Sequence, residues 1–350
     1  MFSNTTKVLG LDIGSNTIKI AELSISKKGM VLEGFATVPT PYESVSNGYL
    51  SNVSSVSESL RNILTDLNTK TKSTVTGMAA SSVIIKKITI PRVENKVLQE
   101  TIRFEAEQYI PFDLNSVALS FVPLNVNSSN ETMDVLIVAA QNEVILQYME
   151  AVASSGMQCS IMDVNSFALA NCFELNYGIL KGEAIGLLNF GHEVTNFVVI
   201  YDGEVIFSRD LSLGGLNFTS EISRSMGITQ SEAESFKISA VSGMAVPDEV
   251  HSIMSSENER FVEELKNSHD FFIASNPERK VDRFYFSGGT SLNLQLIEKI
   301  AQNLQTPFEK FDPFKKIKVD SKKINLNYAS QISTFSPIAI GLASRGKVKP

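Results

Sequence analysis

Residues 11–18 read Leu-Asp-Ile-Gly-Ser-Asn-Thr-Ile, and a related stretch, Leu-Asn-Phe-Gly-His-Glu-Val-Thr, returns at residues 188–195. Each has an apolar segment that ends in Asp or Asn, a turn that contains glycine, and a β-rich return segment, at residues 18–23 or 195–201. This order predicts a β-hairpin in both places. Because the hairpins begin about half of the 350-residue chain apart, the sequence predicts two lobes of common design.

The composition indicates a folded, mildly acidic protein. Hydrophobic residues make up 43% of the chain, and 31 basic against 38 acidic side chains give a net charge of −7. This balance excludes extended disorder and disfavours general binding to nucleic acid or to an anionic bilayer, while local basic patches stay open. The two cysteines, Cys159 and Cys172, exclude a disulfide framework, and no Cys or His spacing indicates zinc.

The sequence also gives an expectation about location. The first residues lack the pattern of a secretory signal, and no segment reaches the roughly 18 apolar residues of a spanning helix. Residues 342–350 are too short and too polar for an amphipathic anchor. We therefore expect a cytoplasmic protein that reaches a membrane only through a partner or a surface helix.

Strand and helix patterns alternate along the chain, which predicts the α/β class. Apolar residues recur at helical spacing toward the end of residues 45–68 and again in residues 142–155. A mostly helical piece spans residues 215–276. The lysines of residues 315–323 are interpreted as a solvated loop and strand edge, with a nucleic-acid or lipid contact as the alternative.

Residues 81–140 look like an insertion into the first lobe. Their pattern predicts a strand, a helix, a strand, a polar turn and a final strand, at residues 83–90, 94–109, 116–124, 125–131 and 133–140. Pro111 disfavours helix at Ile110 and would therefore end the helix. The segment is predicted to form a self-contained β-α-β-β unit.

The first hairpin turn suits a phosphate group. Gly14 would let a ligand approach the backbone N–H groups without interference from a Cβ atom. Asp12 could hold a hydrated Mg²⁺, and Lys19 on the return strand could reach a β- or γ-phosphate. Taken alone, such a turn is better explained as an ordinary tight turn with a solvated Asp and Lys. Two hairpins facing each other across a cleft would instead clamp a triphosphate from both sides.

A third glycine-containing element is Ser-Gly-Gly-Thr-Ser at residues 287–291, where a strand pattern runs into a helical pattern. Free N–H groups at a helix N-terminus favour an anionic or polar ligand. The alternative is that Thr290 or Ser291 only caps the helix and that the glycines form a turn.

Together these motifs resemble the PilM family of actin-like type IV pilus assembly proteins, which is similar to FtsA and lies within the actin/Hsp70/sugar-kinase ATPase superfamily. The stretches that carry the resemblance are residues 11–15, 105–112, 163–169, 214–215, 233–237 and 287–289. The resemblance implies a duplicated, ribonuclease H-like, two-lobe ATPase fold with an FtsA-type inserted β-α-β-β subdomain.

The predicted division of the chain follows from this fold. The first lobe takes residues 1–80 and 141–182 around the insertion at 81–140. The second lobe and the returning C-terminal helix then follow in order: second-lobe core at 183–214, helical subdomain at 215–276, second-lobe core at 277–335, and the helix at 336–350.

The resemblance also implies a site for ATP and Mg²⁺. The first phosphate loop would be formed by Gly14, Ser15, Asn16 and Lys19, with Asp12 as the metal-associated acid. The second phosphate loop would be formed by Gly191, His192, Glu193 and Thr195. Adenosine would lie against Glu234, Lys237, Gly288, Gly289 and Thr290. For Glu234 and Lys237 the alternative is a solvated helical pair, since they are spaced i, i+3.

One position departs from the superfamily pattern. The second phosphate loop there usually starts with an Asp, whereas this chain has Asn189. An amide cannot accept a proton from water or hold a divalent ion with a full negative charge. We therefore expect at most a weak ATPase and assign no catalytic residue.

The leading hypothesis for function is a cytoplasmic ATP-binding adaptor that binds the cytoplasmic N-terminal segment of a PilN-like inner-membrane protein and is held at that membrane indirectly. The alternatives are an FtsA-like membrane-associated polymer and a small-molecule kinase, since a fold alone does not fix function. The first needs a C-terminal amphipathic helix, and the second needs a catalytic Asp. Monomer, ring and filament all stay open, and a nucleic-acid partner is not expected.

The partner is expected to dock between the inserted unit and the first lobe. An extended peptide could pair with an exposed sheet edge and place alternate side chains in apolar pockets. Val83, Ile102 and Tyr109 are the candidates for the groove wall. The alternative is that they are core residues, because apolar helical stripes are usually buried.

Overall fold

The structure is a computed structural model that describes residues 5–79, 82–124 and 131–347. The predicted polar turn at residues 125–131 lies almost wholly outside the described residues. The same holds for residue 81, where the insertion was predicted to start, and for both chain ends, at residues 1–4 and 348–350.

The first lobe is organised around a six-stranded sheet in the order β10-β6-β1-β2-β3-β16. With strands numbered in chain order, these are β1 (Thr6–Ile13), β2 (Thr17–Ser26), β3 (Gly29–Pro39), β6 (Ser73–Met78), β10 (Gln158–Val164) and β16 (Lys318–Val319). Strands β1 and β2 form the predicted hairpin, and β6 runs parallel to β1. A two-stranded ribbon follows β3, with strands β4 (Val45–Ser46) and β5 (Tyr49–Leu50).

Helices cover both faces of this sheet, which is why its strands are apolar on both sides. On one face, α1 (Val53–Leu67) and α3 (Asn142–Ser154) contribute Leu60 and Tyr148 to the core around Leu11. On the other face lie α4 (Asn165–Tyr177) and α10 (Pro337–Ser344).

Two glycines allow α10 to lie very close to its neighbours. A Cβ atom on Gly10 of β1 would be 1.9 Å from the carbonyl oxygen of Ala339, and one on Gly341 would be 1.8 Å from that of Ala168 in α4. No real Cβ atom tolerates such distances, so these positions require glycine. The end of the described chain is therefore fixed inside the first lobe.

The insertion is an antiparallel sheet with one helix. Its elements are β7 (Val83–Pro91), α2 (Asn95–Ala106), β8 (Val117–Leu124) and β9 (Thr132–Gln141), in the sheet order β7-β9-β8. Leu98, Ile102 and Ala106 of α2 are buried against the face of the sheet that carries Val135 and Ile137. The unit thus has a core of its own.

The helix of the insertion ends earlier than the sequence predicted. It stops at Ala106 instead of residue 109, five residues before Pro111. The N–H groups of Tyr109 and Ile110 both donate to the carbonyl of Ala106, so the chain closes a final turn there. Ile110 then enters the core of the unit, which pulls the chain away from the helix axis.

The second lobe repeats the hairpin and adds a helical subdomain. Its sheet has the order β13-β12-β11-β14-β15, with β11 (Ala184–Phe190), β12 (Thr195–Tyr201), β13 (Glu204–Leu211), β14 (Arg283–Ser287) and β15 (Phe308–Lys310). The helices are α5 (Gly215–Met226), α6 (Gln230–Val241), α7 (Asp248–Ser275) and α8 (Leu294–Leu304). A capping box between Thr229 and Glu232 starts α6.

The end of the predicted second-lobe core, residues 277–335, belongs partly to the first lobe. Strand β16 pairs in parallel with β3, with Lys318 opposite Val31. The following helix, α9 (Leu326–Ile332), places the Tyr328 hydroxyl 3.4 Å from the carbonyl of Phe35. The chain therefore crosses to the first sheet before residue 318, and the boundary predicted at 335 is wrong.

Candidate functional site

The turns of the two hairpins lie on opposite sides of one cleft, a cavity of about 520 Å³ between the lobes. The turns have the same local geometry. The N–H of Gly14 donates to the carbonyl of Thr17 at 3.2 Å, and that of Gly191 donates to the carbonyl of Val194 at 3.0 Å. Of the predicted nucleotide-site residues, the cleft is lined by Asp12, Gly14, Ser15, Asn16, Lys19, Gly191, His192, Glu193, Glu234, Lys237, Gly288, Gly289 and Thr290.

Thr195 is the predicted phosphate-loop residue that does not line the cleft. Its side chain is fully buried, and its hydroxyl donates to the carbonyl of Leu213 at 2.8 Å. In the alternating pattern of a strand, the neighbour of a cleft-facing residue points to the other face. Thr17 and Val194 reach the cleft instead.

Asp12 and Lys19 form an ion pair at the bottom of the cleft. They face each other across β1 and β2, and Lys19 Nζ lies 3.0 Å from the Asp12 carboxylate. Both side chains are largely buried, so neither charge is well solvated without its partner. A phosphate would offer Lys19 a second anionic partner and leave Asp12 free to hold a hydrated cation.

The equivalent positions of the second hairpin carry a neutral pair. Asn189 faces Asn196 across β11 and β12, and its Nδ2 donates to Asn196 Oδ1 at 3.1 Å. Asn189 Oδ1 accepts from the Ser287 hydroxyl at 3.1 Å, and Asn196 Nδ2 donates to Asp210 at 2.8 Å. Both polar atoms of the Asn189 amide are therefore engaged by the protein itself.

The far side of the cleft has a partly buried ion pair on α6 that packs against α5. Lys237 Nζ lies 2.6 Å from the Glu234 carboxylate and also donates to the Gly215 carbonyl at 3.1 Å. Burial lowers the pKa of Lys237 below its usual value. For Glu234, burial acts in the opposite sense, but the Lys237 charge and the Thr219 hydroxyl hold its pKa below the usual range. Burial and the nearby Lys237 also lower the pKa of His192.

The glycine pair at 288–289 does not lead directly into an α-helix. Gly288 has φ +94°, and a Cβ atom there would lie 2.3 Å from the carbonyl oxygen of Phe190, so glycine is required. A short 3₁₀ turn, Gly289–Leu292, follows, and α8 begins only at Leu294 with Asn293 as its N-cap. The helix N-terminus predicted directly after Gly289 is thus wrong. Thr290 instead donates to the carbonyl of Gly191 at 2.7 Å and ties this turn to the second hairpin.

Two apolar side chains at the mouth of the cleft were missed in the sequence. Ile238 on α6 is 52% exposed and Leu292 on the 3₁₀ turn is 54% exposed, and both line the cleft. They offer apolar contact for a flat ring beside the Glu234 and Lys237 pair. Nothing in the sequence separates such residues from core residues of the same type.

A second cavity, of about 270 Å³, lies beside the inserted unit, and we call it the side groove. Val122, Leu124 and Leu136 line it from the face of the inserted sheet that α2 does not cover. Phe167 and Phe173 of α4 and the Asp202–Gly203 turn of the second lobe form the other walls. Asp163 and Arg345 pair at 3.0 Å in its lining, and burial raises the pKa of Asp163 even though Arg345 opposes the shift.

The three residues predicted for the partner groove do not lie in the side groove. Ile102 is fully buried in the core of the unit, because α2 covers one face of the sheet with it. Tyr109 is 41% exposed, with Lys86 Nζ 5.8 Å from its ring centre, and Val83 packs partly against the first lobe. None of the three lines the side groove.

Within residues 5–79, 82–124 and 131–347, no three or more His, Cys, Asp and Glu side chains come together in a way that could hold a metal ion. A Mg²⁺ held by one carboxylate, phosphate oxygens and water needs no such cluster, so Asp12 suffices for that chemistry. No helix in the described part of the chain is long and apolar enough to cross a bilayer.

Comparison with known proteins gives a consistent result. The model of the family described as type IV pilus assembly protein PilM matches residues 10–347. A chain of a PilM-PilN type IV pilus biogenesis complex is similar to this chain, with a TM-score of 0.89 and 26% identity over 99% of both chains.

More distant structures share the fold. The ethanolamine utilization protein EutJ from Carboxydothermus hydrogenoformans has a TM-score of 0.59 at 13% identity, covering 97% of this chain and 89% of its own. MreB5 of Spiroplasma citri, bound to ADP, has a TM-score of 0.53 at 10% identity, covering 97% and 96%. These matches confirm the predicted two-lobe, actin-like α/β fold.

Proposed function

The chain belongs to the PilM family of type IV pilus assembly proteins, and from this premise we propose that it is a nucleotide-binding adaptor that holds the cytoplasmic segment of a PilN-like inner-membrane protein in the side groove. The protein would then be peripheral at the inner membrane through that partner. The proposal has two parts, a nucleotide in the cleft and a peptide in the groove.

The cleft favours a nucleoside triphosphate. Lys19 and the backbone of both hairpin turns supply positive charge and N–H donors at one end. Glu234 and Lys237 supply polar contacts for a ribose, and Ile238 and Leu292 supply apolar contacts for a base. When bound, Mg²⁺ would neutralise phosphate charge, and Asp12 is the residue placed to hold it through water.

Hydrolysis in this cleft is expected to be slow. A carboxylate at the Asn189 position could orient a water molecule or accept its proton, but an amide cannot. In addition, Ser287 and Asn196 occupy both polar atoms of Asn189. The residues of this chain therefore favour holding the nucleotide over turning it over.

The side groove suits an extended peptide with apolar anchors. Val122 is 56% exposed and Ile179 49% exposed, although both are apolar and line the groove. The side groove is also lined by three acidic residues, Glu174, Asp202 and Glu204. Cytoplasmic segments next to a membrane span carry an excess of Lys and Arg, which such an acidic rim would attract.

The single observation that carries the proposal is the match over 99% of both chains to a chain of a PilM-PilN complex. The open apolar groove beside the inserted unit offers a place for the peptide. The test is a calorimetric titration with a peptide that spans the cytoplasmic N-terminal segment of the PilN-like protein. Val122→Arg should weaken binding by at least about tenfold, because a charge would be buried at an apolar contact.

Phe104→Arg is the matched control, since Phe104 is an exposed apolar residue of the same inserted unit that does not line the groove. It should leave the affinity unchanged. Equal loss in both variants, or no loss in Val122→Arg, would remove the side groove from the proposal.

A further inference from the structure

Lysines gather at the end of the first sheet that is opposite the nucleotide cleft. Lys7 of β1 is in register with Ser24 of β2, Ser24 with Val31 of β3, and Val31 with Lys318 of β16. Lys72 directly precedes β6, whose Thr74 is in register with Leu9 of β1. Lysines therefore lie along one row across the sheet, about 4.8 Å per strand.

Further lysines extend this row. We call the surface the basic end and define it by the exposed residues Lys7, Lys27, Lys28, Lys70, Lys72, Lys315, Lys316, Lys318, Lys322 and Lys323. Lys27 and Lys28 occupy the turn between β2 and β3.

Carboxylates at the basic end balance only part of this charge. Glu33 is shared by Lys7 and Lys323, whose Nζ atoms lie 2.5 and 2.8 Å from the same oxygen. Glu22 is buried and accepts from the hydroxyls of Thr69 and Thr71. Asp66, Asp312 and Asp320 are the other acidic residues in the neighbouring segments. The remaining lysines give a positive surface on a chain whose net charge is −7.

Support for helix ends does not account for these lysines. Cations near a helix C-terminus interact favourably with the helix dipole. However, Lys27 and Lys28 lie in a strand turn, and Lys318 lies in an edge strand. A lysine on an edge strand also discourages pairing with another chain, which accounts for Lys318 but not for Lys27 and Lys28.

The basic end borders the mouth of the side groove. Lys315 Nζ lies 4.3 Å from the centre of the Tyr177 ring, at the C-terminal end of α4. The backbone N–H of Lys316 donates to Asn176 at 3.0 Å, and Lys316 Nζ would lie 3.8 Å from a Cβ atom on Gly178, which lines the groove. Any partner bound to the basic end would therefore lie close to the opening of the side groove.

We propose that the basic end binds the anionic headgroups of a lipid bilayer, which would turn the mouth of the side groove toward the membrane surface. Exposed lysines near a negatively charged leaflet are each attracted to it, and screening limits that attraction to charges within about 10 Å. The negative charge elsewhere on the chain is then too far from the surface to cancel the effect. This inference goes beyond the proposed function and does not depend on a nucleotide or a peptide partner.

The test is flotation of the intact chain with vesicles. The probes are vesicles of phosphatidylcholine alone and vesicles with about 30% phosphatidylglycerol, at low salt and at about 0.5 M NaCl. Binding should be at least about tenfold tighter to the anionic vesicles and should be lost at high salt. Equal binding to both vesicles, or binding that resists salt, would overturn the proposal.

Variants identify the surface. Joint replacement of Lys27, Lys28, Lys70 and Lys318 by Glu should reduce binding to anionic vesicles by at least about tenfold. The control makes the same charge change at Lys96, Lys266, Lys299 and Lys310, which lie outside the basic end, and should keep most of the binding. Equal loss in the two variants would contradict the assignment, and so would tighter binding of the parent to a DNA or RNA oligonucleotide than to vesicles.

Discussion

The backbone N–H of Asn47 donates a hydrogen bond of 3.0 Å to the carboxylate of Glu193, although the two residues are 146 positions apart. Asn47 lies in the turn between β4 and β5 of the first lobe, and Glu193 lies in the turn between β11 and β12 of the second. The bond therefore joins the lobes at the cleft, which Glu193 and the neighbouring Gly48 line. The next residue, Gly48, accepts from the buried Tyr148 hydroxyl at 3.1 Å, which fixes the turn from inside.

This contact predicts an effect on nucleotide release. Glu193→Ala removes the acceptor, so the lobes should open more easily and a fluorescent ATP analogue should dissociate about two- to tenfold faster. Glu193→Gln is the control, because its amide oxygen still accepts a hydrogen bond, and it should behave like the parent. Stopped-flow displacement measures the rate, and identical rates in all three proteins would show that the contact does not control opening.

The first phosphate hairpin should be essential for nucleotide binding. A Cβ atom on Gly14 would lie 2.9 Å from the carbonyl oxygen of Thr17, so Gly14→Val must distort the turn. Lys19→Glu would place two carboxylates side by side, since Lys19 pairs with Asp12. Both variants should lose binding of the ATP analogue in an equilibrium titration.

Lys181→Glu is the matched charge control for Lys19→Glu, because Lys181 is an exposed lysine that does not line the cleft. It should bind the analogue like the parent. Unchanged affinity in Gly14→Val and Lys19→Glu would mean that the nucleotide site lies elsewhere.

Asn189 should limit turnover through its neighbours as well as by its own chemistry. The parent should hydrolyse ATP well below about 10 s⁻¹. Asn189→Asp alone sets a carboxylate against the Asn196 amide oxygen, so it should lower the free energy of unfolding by about 1–3 kcal/mol.

A double variant separates these two roles. Asn189→Asp with Asn196→Lys recreates the arrangement of Asp12 and Lys19, and it should recover stability while raising turnover above that of the parent. Phosphate release and urea unfolding measure the two effects. Turnover near 10 s⁻¹ in the parent, or full stability in the single variant, would contradict this description.

Glu33 should make the free energy of unfolding depend on pH in the acid range. Although partial burial acts against it, the hydrogen bonds from Lys323 and Lys7 lower the pKa of Glu33 from 4.5 to about 2. Because the folded-state pKa is depressed, the stabilisation is present above about pH 4.5 and is lost as the pH falls toward 2. As the pH is lowered from about 4.5 toward 2, the free energy of unfolding of Glu33→Gln should therefore fall less than that of the parent.

Urea unfolding at several pH values measures this difference, with Glu58→Gln, an exposed glutamate of α1, as the control. The control should follow the parent. A Glu33→Gln protein with the same acid slope as the parent would show that the lysines do not stabilise the carboxylate.

The hairpins and the residues opposite each other within them could be predicted from the sequence, since a short turn fixes the register of its strands. Asp12 and Lys19 are an example. The lysines of residues 315–323 indicated a strand edge, but the pairing of β16 with β3 could not be predicted. Two residues carry no periodic signal, and the pairing joins positions far apart in the chain. The hydrogen bond from Asn47 to Glu193 could not be predicted either, because its two residues are 146 positions apart in the chain.

The partner groove shows a different limit of sequence patterns. Helical spacing correctly placed Ile102 on the apolar side of α2, but it did not indicate which face of the inserted sheet that side would cover. Because α2 covers one face, the side groove that we propose for the partner is formed by the other, where Val122 and Leu136 point. Thr195 was misplaced by a related ambiguity, since adjacent strand residues face opposite sides.

The central claim, that the side groove holds the partner segment, is tested most directly by crosslinking. A peptide that spans the cytoplasmic segment of the PilN-like protein, with a photoreactive residue at an apolar position, is irradiated with the intact chain and Mg-ATP. The account predicts crosslinks to the side groove, at Val122, Leu124 and Leu136 of the inserted sheet and at Phe167, Phe173 and Ile179. Crosslinks confined to the outer surface of α2 around Phe104, or to the second lobe away from the Asp202–Gly203 turn, would contradict it.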